Sequence, residues 1–263
     1  MATGFGGVCC VYDDHVWLPT MVEACRPAVD RLFFLVGRRP WNGEVGDNHA
    51  TLAAIRACAD PDRKIVVIEG DWPTEAAQRN AGLQLCAEAG LPYCMVVDAD
   101  EIYDPAKLKV MMAVASLRPE IPVWGVRIVT YWKSYRYRID PLDPRPATLL
   151  VRVGEATFVR LRETSVRPVG FPPEVGICHH LSYARTDEQI LKKTTRFSHA
   201  HEIRSGWFQE VWRRWDENPS MENLHPVRPV AYPRAVLQDP NAYPPVLRRL
   251  YERDQAASLT ASE

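Results

Sequence analysis

The stretch Cys94-Met95-Val96-Val97-Asp98-Ala99-Asp100-Glu101 joins a short apolar run to two carboxylates one residue apart. β-Branched Val96 and Val97 in so short a run predict a buried strand, and a strand's period of two sends Asp98 and Asp100 to the same side. Paired carboxylates repel each other unless a cation sits nearby. Hard oxygen ligands suit Mg2+ or Mn2+ carried in with a substrate's phosphates. The competing account is an acid-rich helix N-terminus. Asp104-Pro105 has the form of an N-cap with proline at the first helical position, and Leu108, Met111, Met112 and Ala115 follow at helical spacing. That account explains Asp104 and leaves Asp98 and Asp100 unexplained.

Upstream, strand-like and helix-like segments alternate. A strand is predicted over 7–12, a helix over 18–28, a strand at Leu32-Phe33-Phe34-Leu35-Val36, a helix over 51–58, a strand over 64–69 and a helix over 75–89. This is the rhythm of βαβ units. Ligands of open α/β sheets gather beyond the carboxyl ends of the strands, so Asp13, Gly37, Glu69 and Asp98 mark a common rim.

Downstream the pattern turns antiparallel. After a helix over 105–116 come strands over 123–131 and 148–153, separated by Asp140-Pro141-Leu142-Asp143-Pro144-Arg145-Pro146. Ile177-Cys178-His179-His180-Leu181-Ser182-Tyr183 reads as another strand, and Thr186 with Gln189 has capping-box spacing that opens a helix towards His199. Trp207, Phe208, Val211, Trp212 and Trp215 cover one broad helical face, for the core or for a dimer contact. Past Pro226 the repeated prolines predict an extended arm whose last dozen residues are disordered.

With 32 basic against 33 acidic residues and a net charge of -1, no global field recruits nucleic acid or anionic membrane. Seven scattered cysteines without a Cys-x-x-Cys pair fit a reducing compartment. The N-terminus lacks a basic region, and no stretch approaches the roughly 18 apolar residues of a membrane span. The expectation is a soluble cytoplasmic protein, with peripheral membrane association left open.

Three motifs in this order resemble the family 2-type glycosyltransferases of the GT-A fold: Val8-Cys9-Cys10-Val11-Tyr12-Asp13, Gln78-Arg79-Asn80-Ala81-Gly82-Leu83 and Val97-Asp98-Ala99-Asp100-Glu101. The resemblance implies an α/β fold of GT-A type in a single domain. It comprises a Rossmann-like nucleotide-binding half with a mixed central sheet, an antiparallel acceptor-side half and C-terminal helices. It divides the chain into a nucleotide-sugar-binding half at 1–105, an acceptor-side half at 106–225 and a proline-rich extension at 226–263. Val11, Tyr12, Asp13, Arg79, Asp98 and Ala99 are then the donor contacts. Asp98, Asp100 and His180 are the candidate ligands of Mn2+ or Mg2+. Two departures stand out. The rim after the second strand reads Val36-Gly37-Arg38-Arg39, without the family's base-recognising aspartate, and the family's Glu-Asp motif for the catalytic base is missing.

The implied reaction moves a sugar from a nucleotide diphosphate donor to a glycan, glycoconjugate or natural-product acceptor, with inversion. A base must remove the acceptor's proton. Glu174, in a Pro-Pro-Glu-Val-Gly loop before the His179-His180 strand, is the first candidate, with Asp140, Asp143, Glu163 and His179 as rivals. Plainer readings stand beside these. Arg79 and Asn80 also fit the solvent face of a helix. His179 and His180 point to opposite strand faces, so one of them at most reaches a metal. A zinc site from His179, His180, His199 and His201 has no standard spacing. The run from Tyr131 to Arg138 suits sugar stacking or simple strand alternation. Lys192, Lys193 and Arg196 suit either a diphosphate or an exposed basic face. Rival functions are a sugar nucleotidyltransferase and a non-catalytic nucleotide-sugar or glycan-binding module. The first would want a glycine-rich basic loop where Tyr12-Asp13-Asp14-His15 stands. Donor sugar, base, acceptor and oligomeric state are not legible.

Overall fold

Buried apolar strands with helices on both faces build the first half of the molecule, which a computed structural model describes over residues 4–41, 45–196 and 200–260. In chain order these are β1 (Phe5–Val11), α1 (Leu18–Cys25), β2 (Arg31–Gly37), α2 (His49–Ala57), β3 (Ile65–Gly70), α3 (Glu75–Glu88) and β4 (Tyr93–Val96). β1 lies between β2 and β4, β3 lies outside β2, and all of these pairings are parallel. Every residue of β1 is buried, as a strand covered on both faces requires. Thr74 caps α3 by accepting from the Ala77 N–H at 3.1 Å. Gly82 lets α3 lie directly on β1, where a Cβ would run into Val8.

The expected strand through Asp98 ends sooner. β4 stops at Val96, Asp98-Ala99-Asp100 forms a turn closed by the Glu101 N–H on the Asp98 carbonyl at 3.0 Å, and β5 (Glu101–Ile102) follows. The two carboxylates therefore meet through a turn and not through strand alternation. α4 (Pro105–Leu117) starts as expected, with Asp104 Oδ1 accepting from the Ala106 and Lys107 N–H groups, and it buries Leu108, Met111, Met112 and Ala115.

The second half turns about β6 (Val123–Trp132). It is followed by β7 (Ser134–Asp140), β8 (Ala147–Arg152), β9 (Phe158–Arg160), β10 (Glu163–Thr164), β11 (Val169–Gly170), β12 (Ile177–Tyr183), α5 (Asp187–Thr194), β13 (Arg234–Leu237) and α6 (Pro245–Thr260). One end of β6 pairs antiparallel with β8, which joins β4, so a single path runs β13-β7-β6-β8-β4-β1-β2-β3. The other end pairs parallel with β12, which lies antiparallel to β5 with His180 opposite Glu101. The capping box of α5 is complete, with Thr186 and Gln189 each bonding the other's backbone. This mixed sheet with flanking helices is the GT-A type of α/β fold.

The aromatic face from Trp207 to Trp215 is helical, as a π-helical turn (Phe208–Arg213) and a 3-10 turn (Arg214–Asp216), and of its two expected uses it serves the core, around Trp132, whose ring lies 4.9 Å from that of Trp212. One expectation changes. The described residues from 226 to 260 are not an extended arm, and residues 261–263 of the expected disordered end lie outside the described residues. β13 adds antiparallel to β7, and α6 buries Val246 and Leu247 beside Tyr243. The apolar series Tyr243, Val246, Leu247, Leu250 and Tyr251 has helical period and packs on the main core, which outweighs the nearby prolines. No described helix is long and apolar enough to cross a membrane.

Candidate active site

The turn after β4 delivers Asp98 and Asp100 to the carboxyl ends of the parallel strands, on a cavity of about 220 Å³. Val11 and Tyr12 from the end of β1, Arg79 from α3, Ala99, and His180 from β12 line the same cavity. Most of the donor and metal residues expected from sequence are thus brought together. Asp13 lies just outside, on a smaller neighbouring cavity that shares Tyr12, Asp14, Lys193 and Arg196. Glu174 is exposed in the turn before β12 and lines neither cavity.

The carboxylates are neutralised by cations from distant parts of the chain. Asp98 Oδ1 accepts from Arg79 Nη2 at 2.8 Å, and Oδ2 lies 3.4 Å from Arg162 Nη1. Arg79 is also tied to Glu75 at 2.7 Å and is 3% exposed, so it does not sit on the solvent face of α3. Its neighbour Asn80 bonds the Phe158 backbone through both amide atoms. Arg162 further donates to the Val96 carbonyl at 3.1 Å and to buried Glu101, whose other carboxylate oxygen accepts from the Asp98 N–H. Asp100 Oδ2 accepts from Lys193 at 2.6 Å and from Arg185 at 3.0 Å, while Oδ1 lies 3.4 Å from His180 Nε2. Arg185 also forks onto Asp14 at 2.9 and 2.7 Å. Asp13, whose backbone φ is 45°, takes Lys192 at 2.7 Å and also pairs with Arg196. The capped helix α5 and the turn after it therefore bring Lys193 and Arg196 onto the carboxylates, while Lys192 reaches Asp13 from the exposed surface.

Burial would push both aspartates up, but their partners win. Arg79 and Arg162 hold Asp98 below the usual carboxylate range, and Lys193, His180 and Arg185 hold Asp100 well below it. Burial likewise opposes a charge on His180, yet the facing Asp100 raises its pKa overall.

Arg162 and Arg185 escaped the reading of the sequence. Arg162 sits in the turn between β9 and β10, 64 residues from Asp98, and Arg185 is 171 residues from Asp14, so no local spacing announces either. Among the described residues no three His, Cys, Asp or Glu groups converge as a metal site of their own. A histidine zinc site does not assemble, since His179 and His180 face different cavities and His201 is exposed; His199 lies outside the described residues. The aromatics Tyr131, Trp132 and Tyr135 are buried, with the adjacent Tyr131 and Trp132 on opposite faces of β6 in two different core clusters, so they pack and do not present a sugar-stacking wall. A second cavity of about 420 Å³ adjoins the first at His180, which lines both. Its walls include Thr130, Asp143, Glu163, Arg228 and Tyr232.

The profile of glycosyl transferase family 2 matches residues 45–185, more than half of the chain, and the chain belongs to that family. A lipopolysaccharide core biosynthesis glycosyltransferase, LpsC, of Rhizobium meliloti is 26% identical over 155 residues, which are 56% of this chain and 55% of that protein. The chain thus spans about half the length of this curated relative. Among solved structures, S. aureus TarS 1-349 aligns over 50% of this chain and 36% of its own, with a TM-score of 0.31 and 12% identity. The same protein in complex with UDP-GlcNAc aligns over 50% and 35%, with the same score and identity. The fold assignment rests on the family match and the strand order.

Proposed function

We propose that this chain transfers a glycosyl group from a nucleoside diphosphate sugar to a hydroxyl of a glycan, glycoconjugate or natural-product acceptor, with inversion and with Mn2+ or Mg2+. The observation that carries this reading is the meeting of two cavities at His180. One is walled by Asp98, Asp100, Arg79, Val11 and Tyr12 at the carboxyl ends of the parallel strands. The other is large enough for a sugar acceptor. Residues 1–105 then supply most of the donor cavity, joined by His180, Lys193 and Arg196 from 106–225, while 106–225 walls the acceptor cavity and the segment after 226 closes it through Arg228 and Tyr232.

Asp100 and His180 fit a divalent cation: a carboxylate oxygen and an imidazole nitrogen 3.4 Å apart on one wall suit Mn2+ or Mg2+, and the donor's diphosphate completes the set. When bound, the cation supplies positive charge to the departing diphosphate. Asp98, with both oxygens engaged by arginines, is held rigidly to orient the donor. Lys192, Lys193 and Arg196 provide further cations for the diphosphate where they now pair with Asp13 and Asp100.

For the base we favour Glu163. It lines the acceptor cavity one residue after Arg162, which anchors to Asp98 and Glu101. Asp143 is paired with Arg145 at 2.8 Å, and Asp140 with Arg138 at 2.8 Å and Arg234 at 3.0 Å. As the acceptor oxygen bonds to the anomeric carbon and the bond to the phosphate oxygen breaks, the hydroxyl proton passes to the Glu163 carboxylate. All seven cysteines are free, which supports a reducing, cytoplasmic location.

The test is a thermal-shift panel of uridine, guanosine, cytidine and thymidine diphosphates with and without Mn2+, on wild type and Asp100→Ala. A Mn2+-dependent rise in Tm with one nucleotide, lost in Asp100→Ala, is the expected result. No shift with any of them overturns the reading.

A further inference from the structure

On the face of β12 opposite His180, a cavity of about 310 Å³ opens between the start of α4, strands β6 and β12, and the segment leading into α6. Two of the polar side chains that line it are largely buried. His179 is 6% exposed and its Nδ1 lies 2.8 Å from the Tyr131 hydroxyl, which leaves Nε2 without a described partner. Gln238 is 8% exposed, and its backbone N–H bonds the Arg136 carbonyl at 2.8 Å. Both line the cavity, where water or a ligand supplies their remaining hydrogen bonds.

The charge of the walls defines that partner. Lys107 makes no ion pair among the described residues. Arg248 donates to the Asn241 carbonyl at 2.7 Å and meets no described carboxylate. Asp104 also lines the cavity, but its Oδ1 is engaged by the N–H groups of Ala106 and Lys107 at 2.8 and 3.2 Å. Two exposed cations, a largely buried imidazole and a largely buried amide share this cavity with the one carboxylate of Asp104, so its walls carry a net positive charge that favours an oxyanion. Its volume suits a molecule about the size of a monosaccharide.

We propose that this cavity is a second binding site, distinct from the donor and acceptor cavities, for a small polyhydroxylated anion. Lys107 and Arg248 hold its phosphate or carboxylate, and His179 and Gln238 hold its hydroxyls.

The experiment is calorimetric titration of the full chain with glucose 6-phosphate, glucuronate and glucose. The same titrations are repeated on the double variant Lys107→Ala/Arg248→Ala, on Gln238→Leu, and on Lys193→Ala/Arg196→Ala, which strips cations from the donor side. Both Lys107 and Arg248 are exposed, so their loss leaves the fold intact, as an unchanged Tm would verify. One or both anionic sugars should bind, glucose about tenfold or more weaker, and whichever anion binds identifies phosphate or carboxylate as the anchor. The Lys107/Arg248 variant should lose about tenfold or more in affinity, Gln238→Leu should weaken binding, and the Lys193/Arg196 variant should bind as wild type. The proposal is overturned if no probe binds, if affinity survives the loss of Lys107 and Arg248, or if it disappears with Lys193 and Arg196.

Discussion

Lys193 Nζ lies 2.6 Å from Asp100 Oδ2, so a helix that begins 87 residues after the acidic turn supplies the counter-charge for its second carboxylate. The same oxygen is shared with Arg185, and His180 faces the other one. An amine in that place competes with a divalent cation for Asp100 and is also within reach of a diphosphate. Lys193→Ala should therefore bind Mn2+ about tenfold more tightly in the absence of nucleotide, while binding the nucleoside diphosphate more weakly. Manganese titration followed by nucleotide titration separates the two effects, and an unchanged Mn2+ affinity would remove the competition.

Arg162 ties Glu101 and Asp98 to the Val96 carbonyl, and Glu101 is 1% exposed. Its removal strands a buried carboxylate. Arg162→Ala should cost about 3–5 kcal/mol of stability, since a broken buried pair leaves an uncompensated charge. Urea unfolding would measure it, and a cost below about 1 kcal/mol, typical of a surface pair, would contradict the buried network.

Glu163→Gln keeps the side chain's size and removes its basicity. In the proposed reaction kcat should fall by about 10²–10⁴, while the nucleotide-induced thermal shift stays at the wild-type value. Full turnover would exclude Glu163 and return attention to Asp143, which lines the same cavity.

Leu247 in α6 is fully buried, although it lies in a stretch whose prolines suggest an arm. Leu247→Ala should destabilise the protein by about 2–5 kcal/mol, as for a core leucine. Thermal or chemical denaturation decides, because an arm lying loosely on the surface would give no change.

Much of the fold was legible from local patterns. The alternating strands and helices up to Asp98, the proline-started helix after Asp104, the strand through His179 and His180 and the capping box of Thr186 and Gln189 all appear close to their expected places. Each depends on residues within a few positions of one another. The C-terminal helix is obscured in the sequence by Pro240, Pro244 and Pro245, although the apolar series from Tyr243 to Tyr251 has helical period. Asp98 and Asp100 were rightly brought to one cavity for a wrong local reason, a turn having replaced the expected strand.

The order of nearby residues thus carried the element types, the helix caps and the acidic pair, since backbone propensity and side-chain period act over short distances. The neutralisation of that pair could not be read in the same way. Arg79, Arg162, Arg185 and Lys193 reach Asp98 and Asp100 from segments 19 to 93 residues away, and no short-range pattern encodes such distances. Packing brought β12 beside β5, placed His180 opposite Asp100 and His179 in a different cavity, and left Glu174 outside both the donor and the acceptor cavity. These outcomes follow from burying charge in a crowded interior, where each carboxylate must find a cation wherever the folded chain can supply one.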